Sequence, residues 1–445
     1  MGRFLLGKAI NPNLANLTTH ILVSGNMEDS TNYSVKDINL AEKGKLNIEL
    51  AEQKMQALLA IKERFASEKP FKGITIGLAL HITKETAVLV RTLVAGGASV
   101  AIASCNPLST QDDVAAALAT EGVHVYGYKG EDTETYYRFI DNVIASKPRI
   151  TIDDGCDLVT RIHKTVPELI KSMIGGCEET TTGVIRLRAM AEANALKYPV
   201  IAVNDNKTKH LLDNYYGTGQ STMDGIMRAA STLIAGKTFV VAGYGDCGKG
   251  SALRAKGLGA NVIVTEVDKF KALQAVLDGF RVMPMAEAAK LGDIFLTVTG
   301  DINVITIDHI RKMKSGAILA NSGHFDVEID VKSMNKTFAK RRMRDFLDEY
   351  NVEGKKIYLC AEGRLVNLSA AEGHPSEVMA TSFAGQALAC EYLVKNNGRF
   401  KPGVLMLPSE IDDEIAGLQL ASMGIGIDRL TEEQKRYLSS WDEGT

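Results

Sequence analysis

The sequence predicts an α/β protein made of two doubly wound parallel-sheet domains, a substrate domain and a Rossmann domain, with a short C-terminal arm. Three observations predict this. Short β-branched and apolar runs alternate with helix-forming stretches from Phe71 to Val203 and again from Thr238 to Ala361, which is the pattern of parallel strands covered by helices on both faces. At 445 residues the chain exceeds one ordinary domain. A glycine-rich turn, Gly243-Tyr-Gly-Asp-Cys-Gly248, follows one of the apolar runs directly.

Composition narrows the function classes. With 45% hydrophobic and 24% charged residues the chain has the make-up of a soluble globular protein. A net charge of −3 points away from nucleic acid and anionic membranes as partners, and no apolar run is long enough to span a bilayer. The apolar residues near Arg3 and Lys8 are too few for a signal peptide. The six cysteines form no C-x-x-C pair, as expected for reduced thiols in a cytoplasm. No group has metal-ligand spacing, so no metal is expected.

Taken in order, residues 1–33 are rich in Asn, Thr, Ser and Gly and are expected to be a flexible extension. Helical spacing of apolar residues follows from Leu40 to Phe65. Strands are then expected at Ile74 to Leu80, Ser99 to Ala103, His124 to Tyr128 and Arg149 to Asp153. The helices between them cover Lys84 to Ala95, Gln111 to Thr120 and Glu131 to Ala145. Val166 to Met173, Gly183 to Leu196 and Val200 to Val203 continue the alternation. A long helix from about Ser221 to Ala235 leads into the glycine turn. The apolar runs Ile294 to Val298, Ala317 to Asn321 and Lys356 to Ala361 complete the second sheet. Residues 34–216 make the substrate domain, completed by about 376–408; residues 217–375 make the dinucleotide domain, and 409–445 the arm. The basic cluster Lys340 to Arg344 is expected on a solvated surface.

The glycine turn carries the first chemistry. Thr238 to Ala242 reads as a buried strand, Gly243, Gly245 and Gly248 match G-x-G-x-x-G with Asp246 and Cys247 between them, a helix follows, and Glu266 ends the next strand. The first glycine turns the chain, the second admits a pyrophosphate, and the third lets the helix pack on the strand. The helix N-terminus offers N–H groups to the phosphates. The Glu266 carboxylate suits the ribose of NAD and repels the extra phosphate of NADP, so NAD is the expected cofactor. Thr299-Gly300 and Gly323 fall after apolar runs, at strand ends that face a ligand.

Polar groups end the strands of the first half as well: His81-Ile-Thr83, Ser104-Cys-Asn106 and Asp153-Asp-Gly155. Glu178-Glu-Thr-Thr-Thr182 reads equally as a carboxylate pair with ribose-binding hydroxyls or as an acidic, Thr-capped helix start. Lys209 and Asp213 lie one helical turn apart, as a proton-accepting lysine with its orienting carboxylate or as a surface ion pair. His81, His324 and His374 each follow an apolar run; His20, His124, His163, His210 and His309 are read as structural or surface groups.

These stretches together resemble the S-adenosylhomocysteine hydrolase family. The matching segments are His81-Ile-Thr-Lys-Glu-Thr86, Ser109-Thr-Gln-Asp112, Asp153-Asp-Gly155, Glu178-Glu-Thr-Thr-Thr-Gly183, Val203-Asn-Asp205, Asp213-Asn214, Val241-Ala-Gly-Tyr-Gly-Asp246, Gly323-His-Phe-Asp-Val-Glu-Ile-Asp330, Glu362-Gly-Arg-Leu-Val-Asn367 and Gly373-His-Pro-Ser376. The resemblance implies reversible hydrolysis of S-adenosyl-L-homocysteine to adenosine and L-homocysteine: 3′ oxidation on bound NAD, 4′ deprotonation, elimination, water addition and re-reduction. It implies Lys209 for 3′ oxidation and 4′ deprotonation, and Asp213 and Glu179 on the ribose. His81 and Asp154 become the acid–base pair at C5′, and Thr83 and Glu85 read the base. His374 closes over the base, and His324 touches substrate and cofactor. The implied cofactor contacts are Thr180, Thr181, Thr182, Asn214, Glu266, Ser322, Gly323, His324 and Asn367. It also implies a cytoplasmic homotetramer. Three departures stand out: Thr218 and Glu372 replace a cysteine and a methionine of many members, and the basic, tyrosine-bearing C-terminal tail is not present. The S-inosyl thioether is the alternative substrate. A simple NAD dehydrogenase and a non-catalytic nucleotide-binding homologue are the remaining readings.

Overall fold

The computed structural model describes Glu28–Asp29 and residues 32–442. Two sheets organise them. The first runs, in spatial order, Glu28–Asp29, Tyr33–Val35, His124–Tyr126, Ser99–Ala103, Thr75–Ala79, Ile150–Asp153, Gly175–Glu178, Pro199–Ala202 and Gly403–Leu405. Only the pairing of Glu28–Asp29 with Tyr33–Val35 at its start is antiparallel. The second runs Arg281–Val282, Asn261–Thr265, Thr238–Ala242, Ile294–Thr297, Ile318–Asn321, Lys355–Cys360, Leu347–Val352 and Ala339–Arg344. It ends in an antiparallel hairpin.

Each sheet reverses direction at its first long strand. Thr75–Ala79 lies between Ser99–Ala103 and Ile150–Asp153, and Thr238–Ala242 lies between Asn261–Thr265 and Ile294–Thr297. Such switch points open a crevice at the carboxyl ends of the strands. His81 and Asp154 follow the first pair of strands, and Gly243 follows the second.

Several elements differ from expectation. The sheet begins inside the segment expected to be loose, since Glu28–Asp29 pairs with Tyr33–Val35 through backbone hydrogen bonds that need no apolar pattern; residues 1–27, His20 among them, lie outside the described residues. Gly175–Glu178 is a central strand that propensity does not announce. Glycine is required there by close packing: a Cβ on Gly175 would come 2.7 Å from Leu393, and one on Gly176 would come 2.6 Å from Thr151. The helix entering the second domain ends at Ala230 and is entered through a π-helical stretch, His210–Gly217. Pro167–Ser172 is 3-10 helix.

The helix Ser376–Lys395 is buried along most of its length. It returns from the second sheet to the core of the first, where Phe383, Ala387, Leu388 and Leu393 join Phe65, Leu78 and Ile102. The basic run Ala339–Arg344 is an exposed edge strand. Its arginines pair with Glu349, Asp348 and Glu362, a charged edge of the kind that discourages strand addition. No helix among the described residues is long and apolar enough to cross a membrane.

Helices Ala41–Glu52 and Asp112–Thr120 cross at Gly44, where an added Cβ would lie 1.9 Å from the Asp113 carbonyl oxygen. Gly44→Ala is expected to force the helices apart and lower stability by about 1–3 kcal/mol. An unchanged urea midpoint with an unchanged slope would contradict that packing.

Candidate active site

The two switch points open into one cleft with a volume of about 1270 Å³. Of the residues expected from sequence to act on substrate or to hold substrate or cofactor, only Gly248 does not line it.

Lys209 is the centre of the first cluster. It ends the short turn Lys207–Lys209, and the wider π-helical turn that follows brings two neighbours to its ammonium. Nζ lies 2.8 Å from Asp213 Oδ2 and donates to Asn214 Oδ1 at 2.7 Å. Glu179 Oε1 is 3.4 Å away. A π-helical i→i+5 spacing, often met at functional sites, permits the Asn214 contact. Asn214 Nδ2 and Thr181 Oγ1 both donate to Asn204 Oδ1. Ser382 and Gln386, from the long returning helix, donate to Glu179. Asp213 Oδ1 takes a hydrogen bond from His374 Nδ1, and His374 Nε2 lies 3.3 Å from Thr218 Oγ1.

Lys209, Asp213 and Glu179 are almost fully buried. Burial opposes the charge on Lys209, but Asp213 and Glu179 outweigh it and raise the ammonium above its usual value. Burial likewise opposes ionisation of Asp213, which Lys209 and His374 overcome, holding it below the usual carboxylate range. For Glu179 burial wins: its carboxyl is raised despite Lys209.

The second cluster joins the two domains. Asp154 Oδ2 lies 3.4 Å from His81 Nε2, and its Oδ1 lies 3.4 Å from His324 Nδ1. His81 Nδ1 is 2.7 Å from Ser109 Oγ. Gly155 has a φ of 106° and leaves room for His324, whose Nε2 would be 2.2 Å from an added Cβ. Burial pushes His81 down to about 4, against the pull of Asp154. One ligand-capable atom from each of His81, Asp154 and His324 lies within 4.8 Å of the others. The sequence shows no metal spacing because the three sit on separate loops; the set has the donors to hold a cation as well as to move a proton.

Thr83 is an N-cap, its hydroxyl accepting from the Thr86 amide. Glu85, on the first turn of that helix, accepts from Ser376 Oγ at 2.7 Å. The partners Ser382 and Gln386 are residues that sequence reading missed, and Ser376 and Asn204 lay in the matching segments without a role. The first three lie on the returning helix, and only the tertiary path brings it here.

The glycine turn fits a dinucleotide. Gly243 has a φ of 103°, and a Cβ on Gly248 would meet the Gly243 carbonyl oxygen at 2.0 Å, so the helix sits hard against the strand end. Gly245 lines the cleft and has open space where a side chain would be, a cradle for a pyrophosphate. Glu266 accepts from the Tyr244 and Val267 amides and presents its carboxylate to the same end of the cleft. Asp246 lies 3.0 Å from His210, a histidine that ties the π-helical stretch to the glycine turn. Cys247 lines the cleft, its thiol pushed up by burial. Ser322 meets Thr222 at 2.7 Å, and Asn367 donates to Ser221. Thr299 and Gly300 are held by Glu328, which occupies the space a side chain on Gly323 would need. Thr180 and Thr182 line the cleft beside them.

Comparison with known proteins agrees with this geometry. Residues 32–168 match the family described as S-adenosyl-L-homocysteine hydrolase, and residues 214–373 match its NAD binding domain. The chain belongs to the S-adenosyl-L-homocysteine hydrolase family. It is 58% identical over 93% of its length to the whole of the S-inosyl-L-homocysteine hydrolase of Methanocaldococcus jannaschii. It is 57% identical, over 93% of its length, to the whole adenosylhomocysteinase of Saccharolobus solfataricus and 58% to that of Aquifex aeolicus. This hydrolase-family chain is an enzyme with NAD as cofactor.

A neutral buried His81 has a consequence for stability. Its folded value, about 4, is below the ordinary 6.5, so between these pH values the unfolded chain binds the extra proton and stability falls as pH falls. The loss from this group is about 3 kcal/mol, most of it reached by pH 4. Denaturant titrations across pH 4–7 should show a shallower dependence for His81→Asn; parallel curves would refute the assignment.

Proposed function

We propose that the protein hydrolyses S-adenosyl-L-homocysteine reversibly to adenosine and L-homocysteine. The observation that carries this is a single cleft holding a buried Lys209–Asp213–Glu179 cluster, a His81–Asp154–His324 cluster and a dinucleotide turn. NAD supplies a reversible hydride acceptor, which explains why a hydrolase carries such a turn.

The chain's own residues supply binding and proton transfer. Glu179 and Asp213 hold the ribose hydroxyls, and Asn214 orients the Lys209 ammonium. An ammonium cannot accept a proton, so Lys209 must first release one; Asp213, bound to both Lys209 and His374, is the path out. Neutral Lys209 then takes the 3′-hydroxyl proton as C3′ is oxidised, releases that proton by the same path, and as a free amine again takes the acidified 4′ hydrogen. His81, neutral by burial, and Asp154 handle the proton at the departing sulfur and on the water that replaces it. Thr83, Glu85 and His374 hold the base. Thr180, Thr181, Thr182, Ser322, Gly323, His324 and Asn367 hold the nicotinamide half of the cofactor, and Glu266 its adenosine ribose. Glu266 also disfavours the 2′-phosphate of NADP.

The same reading places the enzyme in the cytoplasm as a homotetramer. Free cysteines support the first. Exposed Ile425, Ile427, Leu430, Leu438 and Trp441 on the C-terminal arm support the second, since clustered exposed apolar groups mark interaction sites. Scattering mass should fall on truncation after Ser422; an unchanged mass would remove the arm from assembly.

The deciding experiment offers S-adenosyl-L-homocysteine to the holoenzyme and follows thiol release and NADH absorbance together. Free homocysteine without accumulating NADH is expected. Accumulating NADH without thiol would favour a dehydrogenase, and neither signal a binding protein. Lys209→Met should lower kcat by about 10²–10⁴ while the protein retains NAD.

A further inference from the structure

The C-terminal arm holds the turn that carries the site lysine without entering the cleft. Asp412 lies in the first turn of the arm helix Ser409–Ser422. It is only 8% exposed, yet it is not among the residues that line the cleft. Its carboxylate is directed at the turn Lys207–Lys209. Oδ2 accepts from the Lys207 amide at 2.6 Å, and Oδ1 accepts from the Thr208 amide at 3.2 Å and from the Thr208 hydroxyl.

The two amides are the first of the turn, and such groups have no partner inside it. An N-cap side chain ordinarily takes one of them. Here Asn206 holds the N-cap position and makes no such bond. The cap comes instead from a residue 205 positions beyond Lys207. A hydroxyl or amide side chain offers one acceptor atom; a carboxylate has two, which hold both amides and a hydroxyl at once. Those three donors also make a buried carboxylate tolerable.

The turn is pinned from a second side. Thr381, on the returning helix, donates to the Thr208 carbonyl oxygen at 3.0 Å. Gly385 of the same helix leaves the gap where turn and arm meet: an added Cβ would lie 3.1 Å from Asn206 Nδ2 and 3.9 Å from Ile415. Ile415, three residues beyond Asp412, is fully buried in the core of the first sheet, so the arm helix is anchored where it caps the turn. Asp213 and Asn214 orient the Lys209 ammonium, but they follow it in the same stretch and would travel with it. The tie from outside that stretch, to the two residues just before Lys209, comes from Asp412.

We propose that Asp412 is a positioning residue for the reaction: from the C-terminal arm it fixes the backbone of the Lys207–Lys209 turn and so places the Lys209 nitrogen against the 3′ and 4′ positions of the substrate ribose. This rests on the hydrolase reading given above. The first helix of the arm thus serves the active site, separately from any part that the segment after Ser422 has in assembly.

The test follows thiol release from S-adenosyl-L-homocysteine by the holoenzyme, and the appearance of bound NADH in a single turnover. Asp412→Ala should lower kcat about 10–100-fold, the effect of displacing a reacting group by about 1 Å, with KM little changed and NAD retained. NADH should appear more slowly by the same factor, because the 3′-hydroxyl proton is the first that Lys209 takes. Asp412→Asn keeps the volume and one acceptor and should fall between Asp412→Ala and wild type. Asp413→Ala, at the exposed next position, should match wild type. The decisive comparison repeats the single turnovers in Lys209→Met, where Asp412→Ala should add little further loss, since the group it places is gone. Should Asp412→Ala not fold, Asp412→Asn carries the same comparison. An unchanged kcat, or an equal loss with and without Lys209, would overturn the proposal and leave the hydrolase reading intact. No thiol from the wild-type protein would instead overturn the hydrolase reading on which it rests.

Discussion

The structure depends on a buried cation. Lys209, with a side chain only 6% exposed, is tolerable in the interior only because Asp213, Glu179 and Asn214 surround it, since an unpaired buried charge costs several kcal/mol. Those partners come from separate parts of the chain: Asp213 and Asn214 from a π-helical stretch, Glu179 from the end of a glycine-bearing strand. Two residues of the returning helix in turn hold Glu179. Removing one carboxylate would leave the buried ammonium underpaired, so the cluster ties the geometry of the cleft to the fold.

A second layer of carboxyl groups supports the first. Asp153 and Glu178 are opposite one another on neighbouring parallel strands, and each immediately precedes a cleft carboxylate. Asp153 Oδ1 accepts from the Asp154 amide and its Oδ2 from Val159. Glu178 Oε1 accepts from the amides of Gly155 and Thr180. Burial pushes Asp153 up to about 8 and raises Glu178 well above its usual range. Two adjacent buried carboxyls cannot both ionise at little cost, and as neutral or singly charged groups they brace the loops that aim Asp154 and Glu179. Adjacency in sequence thus divides into roles: one carboxyl faces the cleft and its neighbour faces the interior.

The strap Glu372-Gly-His-Pro-Ser376 connects the dinucleotide side to the substrate side. Glu372 meets Lys84, His374 meets Asp213, and Ser376 meets Glu85. With His324 reaching Asp154 from the other sheet, the cleft is lined by groups from both domains.

Sequence alone determined what depends on local pattern. Alternating apolar runs and helix formers specify two parallel sheets, and Gly243, Gly245, Gly248 and Glu266 specify a dinucleotide turn, because strand, turn and helix N-terminus are consecutive in the chain. The i,i+4 relation of Lys209 and Asp213 was legible too, although spacing did not distinguish a surface pair from a buried one. Burial decides that, and burial comes from the returning helix Ser376–Lys395, hundreds of residues from the strands it covers. The same holds for Glu178, which reads equally as half of a ribose-binding carboxylate pair or as a helix-start acid and is instead an interior brace, and for the strand Gly175–Glu178, whose glycines hide its β character. His81, Asp154 and His324 belong to three loops with no common spacing, and only the meeting of two switch points brings them together. Local propensity specifies elements; the partners of a buried charge are chosen by packing between elements distant in the chain.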